Sequence, residues 1–195
     1  MKPLLVLILA SSLSTSLTAQ VSAFENVRIP SAMQDRSGGA SMLSFIPGEH
    51  QILHFGEEEG NYFWEMHQQD EVQRLVLAVG EKRPAPPISF FRLPRRTSPL
   101  VMLTPYQHGE EMGVWIHTWD GDSLRTVGEL PVANAELGFP EPITPFVRII
   151  TDGKLWEFRF VGPVFLHPGT PHQEALKPES ILYRYEGGQL NLVRL

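Results

Sequence analysis

Residues 114 to 130, VWIHTWDGDSLRTVGEL, gather two tryptophans, a histidine and two aspartates around a glycine-containing bend. Trp115, His117 and Trp119 alternate, so on a strand all three side chains share one face. An imidazole between two indoles could act as a base beside a sugar-stacking platform. It could equally be packed, with a ring nitrogen hydrogen-bonded. Asp120 and Asp122 suggest a calcium loop, but such loops need acids at alternate positions and a distant bidentate glutamate. Two acids flanking Gly121 read as a solvated turn, where aspartate is favoured in any case.

Other residues able to ligate or catalyse are scattered. His50 and His54 stand four apart, a zinc spacing on a helix; in EHQILHF a strand is expected, and there four residues span about 13 Å. His167 and His172 bracket HPGTPH, a proline-braced loop that would still need a third ligand for a metal. Ser37-Gly38-Gly39-Ala40-Ser41 could shelter a nucleophile but reads as a flexible linker. The chain has no G-x-S-x-G, no phosphate-binding or dinucleotide-binding glycine loop and no H-E-x-x-H. No catalytic residue, metal site or cofactor is therefore assigned.

Charge is grouped more tellingly. Glu57-Glu58-Glu59 and Glu110-Glu111 fall in expected loops beside aromatic strands. One basic segment carries Lys82, Arg83, Arg92, Arg95 and Arg96, interleaved with prolines and with Phe90-Phe91. Such runs read either as solvated loops or as recognition surfaces, since protein interfaces concentrate arginine and aromatic rings.

The elements that must position these groups are strands. No stretch keeps a helical apolar period, and 17 prolines and 16 glycines punctuate short β-branched and aromatic runs. Pro84, Pro86, Pro87, Pro94 and Pro99 forbid a regular helix over 81–99 and disfavour a central strand there. Three hairpins share one design: Trp119 to Leu124 across Gly121-Asp122, Ile150 to Leu155 across Asp152-Gly153, and Tyr185 to Leu190 across Gly187-Gly188. A fourth, without glycine, runs from His67 to Val72. The implied registers set Arg148 opposite Glu157, Ile149 opposite Trp156 and Val147 opposite Phe158, and pair Ile116 with Val127, matches of about 0.2–1 kcal/mol each. The aromatic-turn-leucine layout is similar to single propeller blades, but its spacing is uneven against a usual repeat of about 40–45. The expected fold is all-β: antiparallel hairpins forming a β-sandwich or an irregular, propeller-like domain.

The N-terminus predicts export. Lys2, the apolar run Leu4 to Ala10 and a Ser/Thr-rich stretch precede Val21-Ser22-Ala23, with Leu17-Thr18-Ala19 as a second cleavage site. The apolar run is too short to cross a bilayer core, which takes about 20 residues. The expected organisation is a signal peptide over 1–23, a flexible lead-in over 24–41 and one all-β domain over 42–195, with no transmembrane segment after cleavage. A chain without cysteine excludes thiol catalysis, thiolate metal sites and disulfides. It suits a bacterial periplasm or exterior better than a disulfide-dependent secreted class. A net charge of −6 argues against a general nucleic-acid binder.

These features point to a non-catalytic exported domain that recognises another envelope protein or a glycan, for example as an inhibitor, immunity protein or accessory subunit. Its contacts would come from loops 56–60 and 107–112 and the segment 82–96. Two alternatives are a small carbohydrate-active or ester hydrolase using Trp115, His117, Trp119 and Glu111, and a structural envelope protein.

Overall fold

The computed structural model describes residues 21–27, 41–48, 50–77, 82–84, 87–94 and 98–195. Residues 1–20 of the expected signal, the Ser37–Ala40 stretch, Arg95 and Arg96 lie outside the described residues. Two short strands open the described chain, β1 (Ser22–Ala23) and β2 (Glu25–Asn26). A four-stranded antiparallel meander follows: β3 (Ser41–Gly48), β4 (Gln51–Glu58), β5 (Asn61–Gln68) and β6 (Glu71–Val76). The next sheet holds β7 (Arg83–Pro84), β8 (Ser89–Arg92), β9 (Leu100–His108), β10 (Glu111–Trp119) and β11 (Leu124–Leu130), in the order β11-β10-β9-β8-β2 with β7 also on β9.

The last part of the chain builds two sheets from β12 (Val132–Asn134), β13 (Val147–Thr151), β14 (Trp156–Phe160), β15 (Val164–Leu166), β16 (Glu174–Leu176), β17 (Ile181–Glu186) and β18 (Gln189–Arg194). Their orders are β12-β15-β16 and β1-β13-β14-β17-β18. Every pairing is antiparallel.

The sheet containing β9 and β10 is the middle of three layers, and its sequence says why. LVMLTPY in β9 and VWIHTW in β10 are apolar on both alternating faces, the pattern of a strand covered on both sides. Val101, Leu103, Val114 and Ile116 enter one core with Val132, Ile149, Phe158 and Leu166 of the last two sheets. Leu100, Met102, Trp115 and Trp119 point the other way and pack with Leu53, Phe55, Trp64 and Met66 of the meander. The sandwich expectation holds, with one layer more than two-sheet packing.

Prolines mark where pairing stops. Pro105 lies where the neighbour of β9 changes, because β8 ends its pairing at Leu103 and β7 begins at Tyr106. That gap is where a missing N–H costs no ladder bond. The expectation that prolines keep 81–99 out of a sheet interior is corrected: β8 lies between β9 and β2. Its four residues, Ser-Phe-Phe-Arg, fall between Pro87 and Pro94 and contain no proline.

The hairpins divide in an instructive way. Tyr185 pairs with Leu190 across Gly187-Gly188, both at positive φ, and His67 pairs with Val72 across Gln69-Asp70. Trp119 pairs with Leu124 as expected, but a bulge sets Ile116 opposite Gly128 and not Val127. In the hairpin from Ile150 to Leu155 the expected register is wrong: Arg148 faces Arg159, Ile149 faces Phe158, Val147 faces Phe160 and Glu157 faces Ile150. Thr151 and Asp152 are the cause. Asp152 Oδ1 accepts from the Lys154 and Leu155 amides, and the Thr151 hydroxyl donates to the Leu155 carbonyl, so four residues form the loop. Side-chain bonds of this kind compete with a two-residue turn.

Candidate functional site

β9 runs nine residues, about 30 Å at strand rise. The charged groups collect beyond its His108 end. Tyr106 is the anchor. Its ring lies over Gly113 on β10, where a Cβ would collide with the phenol, and so reaches across that strand to β11. There the hydroxyl donates to Glu129 Oε1, which also accepts from the Lys82 ammonium at 2.8 Å. Lys82 Nζ in turn sits 4.3 Å from the centre of the Tyr106 ring, and Trp115 packs against the same ring at 4.8 Å. Burial first, and then the bond to Glu129, push the Tyr106 hydroxyl well above its ordinary range. A phenol held this firmly protonated is a hydrogen-bond donor and a poor base.

The charges named from sequence are arranged around that anchor. Arg83 follows Lys82 and pairs with Gln107 in the sheet. Glu57 lies opposite Tyr62, accepts its hydroxyl and, after burial, raises it, while Arg83 acts on the same hydroxyl in the opposite sense. Glu110 lies in the β9–β10 turn and Glu111 opens β10, and both are exposed. The His167–Thr170 loop closes in behind them, with Gly169 so near the Glu110 backbone that no Cβ fits. Three segments far apart in sequence, 57–62, 82–83 and 107–111, thus meet at one end of the molecule with both signs of charge interspersed. Glu58 reaches Arg74 at 2.7 Å and Glu59 occupies the turn at φ 52°.

Other expected site residues lie elsewhere. Arg92 belongs to the opposite end, where its Nη1 donates to the Pro47 carbonyl at 2.8 Å and ties β8 to the meander. Burial lowers its pKa, and its Nε is buried without a hydrogen-bond partner. Trp115, His117 and Trp119 do share a face, but it is the face against the meander, and they are 5%, 2% and 2% exposed. As folded they offer no ring to a sugar. His117 Nδ1 lies 3.4 Å from the Thr126 hydroxyl, and its Nε2 is buried without a partner. Burial lowers its pKa from 6.5 to about 3, so this imidazole is neutral near neutral pH.

Asp120 caps its own turn, with Oδ1 accepting from the Asp122 and Ser123 amides and Oδ2 paired with Arg125. Among the described residues no group of three or more His, Asp or Glu side chains stands together as a metal site. His50 lies in the turn before β4, His54 within it, and His167 and His172 are exposed. Two shallow depressions, of about 180 and 290 Å³, lie away from the charged end. Both fall below the usual 300–1,000 Å³ of small-molecule sites. No helix among the described residues is long and apolar enough to cross a membrane.

Tyr106, Gly113 and Glu129 escape sequence reasoning. Their link crosses an intervening strand and depends on the bulge near Gly128, which sets Glu129 opposite Trp115. A hairpin register carried unbroken from Trp119 misplaces it by one residue. The fold and the site together define a three-layer antiparallel β-domain with a charged, loop-built end on a buried tyrosine anchor. Beyond that class, the chain matches no family model, no curated protein and no solved structure.

Proposed function

We propose that this is an exported, non-catalytic β-domain that recognises another macromolecule of the cell envelope, as an inhibitor, immunity or accessory protein does. The observation that carries the reading is the convergence of Glu57, Arg83, Glu110 and Glu111 at one end of a scaffold whose central sheet is sealed on both faces. Loops on a rigid sheet supply recognition while the layers beneath supply stiffness. The Lys82–Glu129–Tyr106 anchor supports this by fixing the start of β7, and with it Arg83. Mixed charge on the rim favours a protein partner with complementary charge, because such pairs steer encounter and fix register. No observation favours the hydrolase alternative, whose stacking rings lie in the core.

The test is affinity capture of the purified protein with crosslinking in envelope extract of its source cell. One stoichiometric partner is expected, released progressively by salt as exposed charges are screened. Reversing Glu57, Glu110 and Glu111 to lysine should lower the captured amount at least tenfold, as loss of a few rim contacts of about 0.5 kcal/mol each implies. An undiminished partner on the triple variant would contradict the proposal.

A further inference from the structure

The opposite end of the molecule carries an exposed apolar loop. Between β12 and β13 the chain leaves as Ala135-Glu136-Leu137-Gly138-Phe139 and returns through Glu141. Its base is closed by reciprocal backbone bonds between Asn134 and Glu141, at 2.8 and 3.1 Å. Asn134 also caps it through Oδ1, which accepts from the Glu136 amide, and the Gly138 amide donates to the Ala135 carbonyl. The loop is therefore a short, internally bonded finger. Its tip carries Leu137 and Phe139, 61% and 55% exposed. Burying one such side chain is worth about 1.5–3 kcal/mol, so leaving two in water is a cost that association would remove.

A depression lies at the same end. The Asn134 end of β12 pairs with the Val164 end of β15, so the finger and the Val161–Pro163 turn leave the sheet together. The Val161 amide donates to the Phe146 carbonyl. There Phe24, Asn26, Phe91, Phe146, Arg148 and Val161 line a depression of about 290 Å³, open to solvent, whose surface is about half polar and half apolar. That space suits an aromatic ring better than a metabolite. Arg148 faces another arginine, Arg159, across the strand pair and makes no ion pair among the described residues. The finger brings the opposite charge, in Glu136 and Glu141. An apolar tip flanked by acids and a part-apolar depression bearing Arg148, which has no ion pair among the described residues, are complementary in charge.

Because both halves sit on one end, one contact made twice closes a pair. We propose that two copies of this chain associate through this end, each inserting the Leu137–Phe139 tip into the partner's depression, with Glu136 against the partner's Arg148. Such reciprocal contacts are the self-complementary interfaces of two-fold dimers, which close and do not grow into filaments. A contact resting on one finger and one depression per copy makes a reversible association. The charged end stays free, and a dimer presents two of them pointing apart.

The test is sedimentation of the purified protein from micromolar to millimolar concentration, with circular dichroism to check folding. A concentration-dependent dimer is expected. Phe139→Ala should weaken it about thirtyfold or more, as truncation of a buried aromatic anchor does. Arg148→Glu and Glu136→Arg should each weaken it several-fold, because like charges then face each other twice per pair. Mixing the two variants should restore a dimer, since every charge then meets its opposite. A wild-type protein monomeric throughout would overturn the proposal and leave the finger to a different protein. So would a mixture that associates no better than its components.

Discussion

At the scale of single residues, His117 is the most exposed to a simple experiment. Its folded pKa lies near 3, below the ordinary 6.5, because burial disfavours the charged ring. The unfolded chain therefore takes up a proton near pH 6.5 that the folded chain refuses until near pH 3. Stability attached to this group is present above pH 6.5 and is lost as pH falls through that window, by up to about tenfold in the folding constant per pH unit. Glu157, held by Arg184 and Arg159, also has a lowered pKa, and its contribution is lost only below about pH 4.5. Between pH 6.5 and 4.5 the loss should thus track His117. Urea unfolding at pH 7 and pH 5 should show the drop in the wild type and a much flatter response in His117→Leu. Tyr106→Phe is the second residue-scale prediction. It removes the donor to Glu129 and should cost about 1–3 kcal/mol in the same assay, while Lys82 still holds the carboxylate. The shared face of Trp115, His117 and Trp119 was legible from alternation alone. That this face meets a second sheet was not, because the covering residues Leu53, Phe55 and Trp64 lie some fifty positions away.

At the scale of elements, backbone turn chemistry was readable and side-chain turn chemistry was not. Gly187-Gly188 dictates its hairpin through positive φ. Thr151 and Asp152 hide a four-residue loop inside an Asp-Gly that looks like a two-residue turn. The bulge beside Gly128 is equally silent in the sequence, and the need for glycine there comes from another sheet. A Cβ at Gly128 would stand 2.8 Å from Cδ2 of Leu190 on β18. Gly128→Val should therefore destabilise the protein by about 1–3 kcal/mol through overpacking, and Leu190→Ala in the same chain should recover part of that loss, as coupled neighbours do. β1 bears on the proposed export signal. Ser22 and Ala23 pair with Thr151 and Ile150, and the buried Phe24 donates its amide to the Ile149 carbonyl. A cut after Ala23 would remove β1 and leave a charged amine beside a core ring, which is costly to desolvate. We therefore predict cleavage at the second site, after Ala19. N-terminal sequencing of the exported protein should read from Gln20, and a start at Phe24 would contradict this.

At the scale of the whole molecule, the two proposed contact surfaces lie at opposite ends, about 30 Å apart along β9. The all-β class was legible because prolines, glycines and β-branched runs leave no room for a long helix. The third layer was also written in the mostly apolar, doubly buried runs of β9 and β10, in a form that two-sheet expectations overlook. The meeting of Glu57, Arg83 and Glu111 was not written anywhere locally. It follows from stacking the meander on the central sheet so that the β4–β5 turn and the β9–β10 turn fall at the same end. Arg92, grouped with Arg83 by sequence, is carried by β8 to the opposite end. Charge clusters in one dimension are poor guides to charge clusters in three.

The charged end is the surface that we propose meets a partner. A photo-crosslinking amino acid placed singly at Glu111, at Arg83 and, as a control on another face, at Arg159, would test it in intact cells of the source. Crosslinks to one common partner from the Glu111 and Arg83 positions, with none from Arg159, are the result expected here. Equal crosslinking from all three positions, or from Arg159 alone, would contradict the claim.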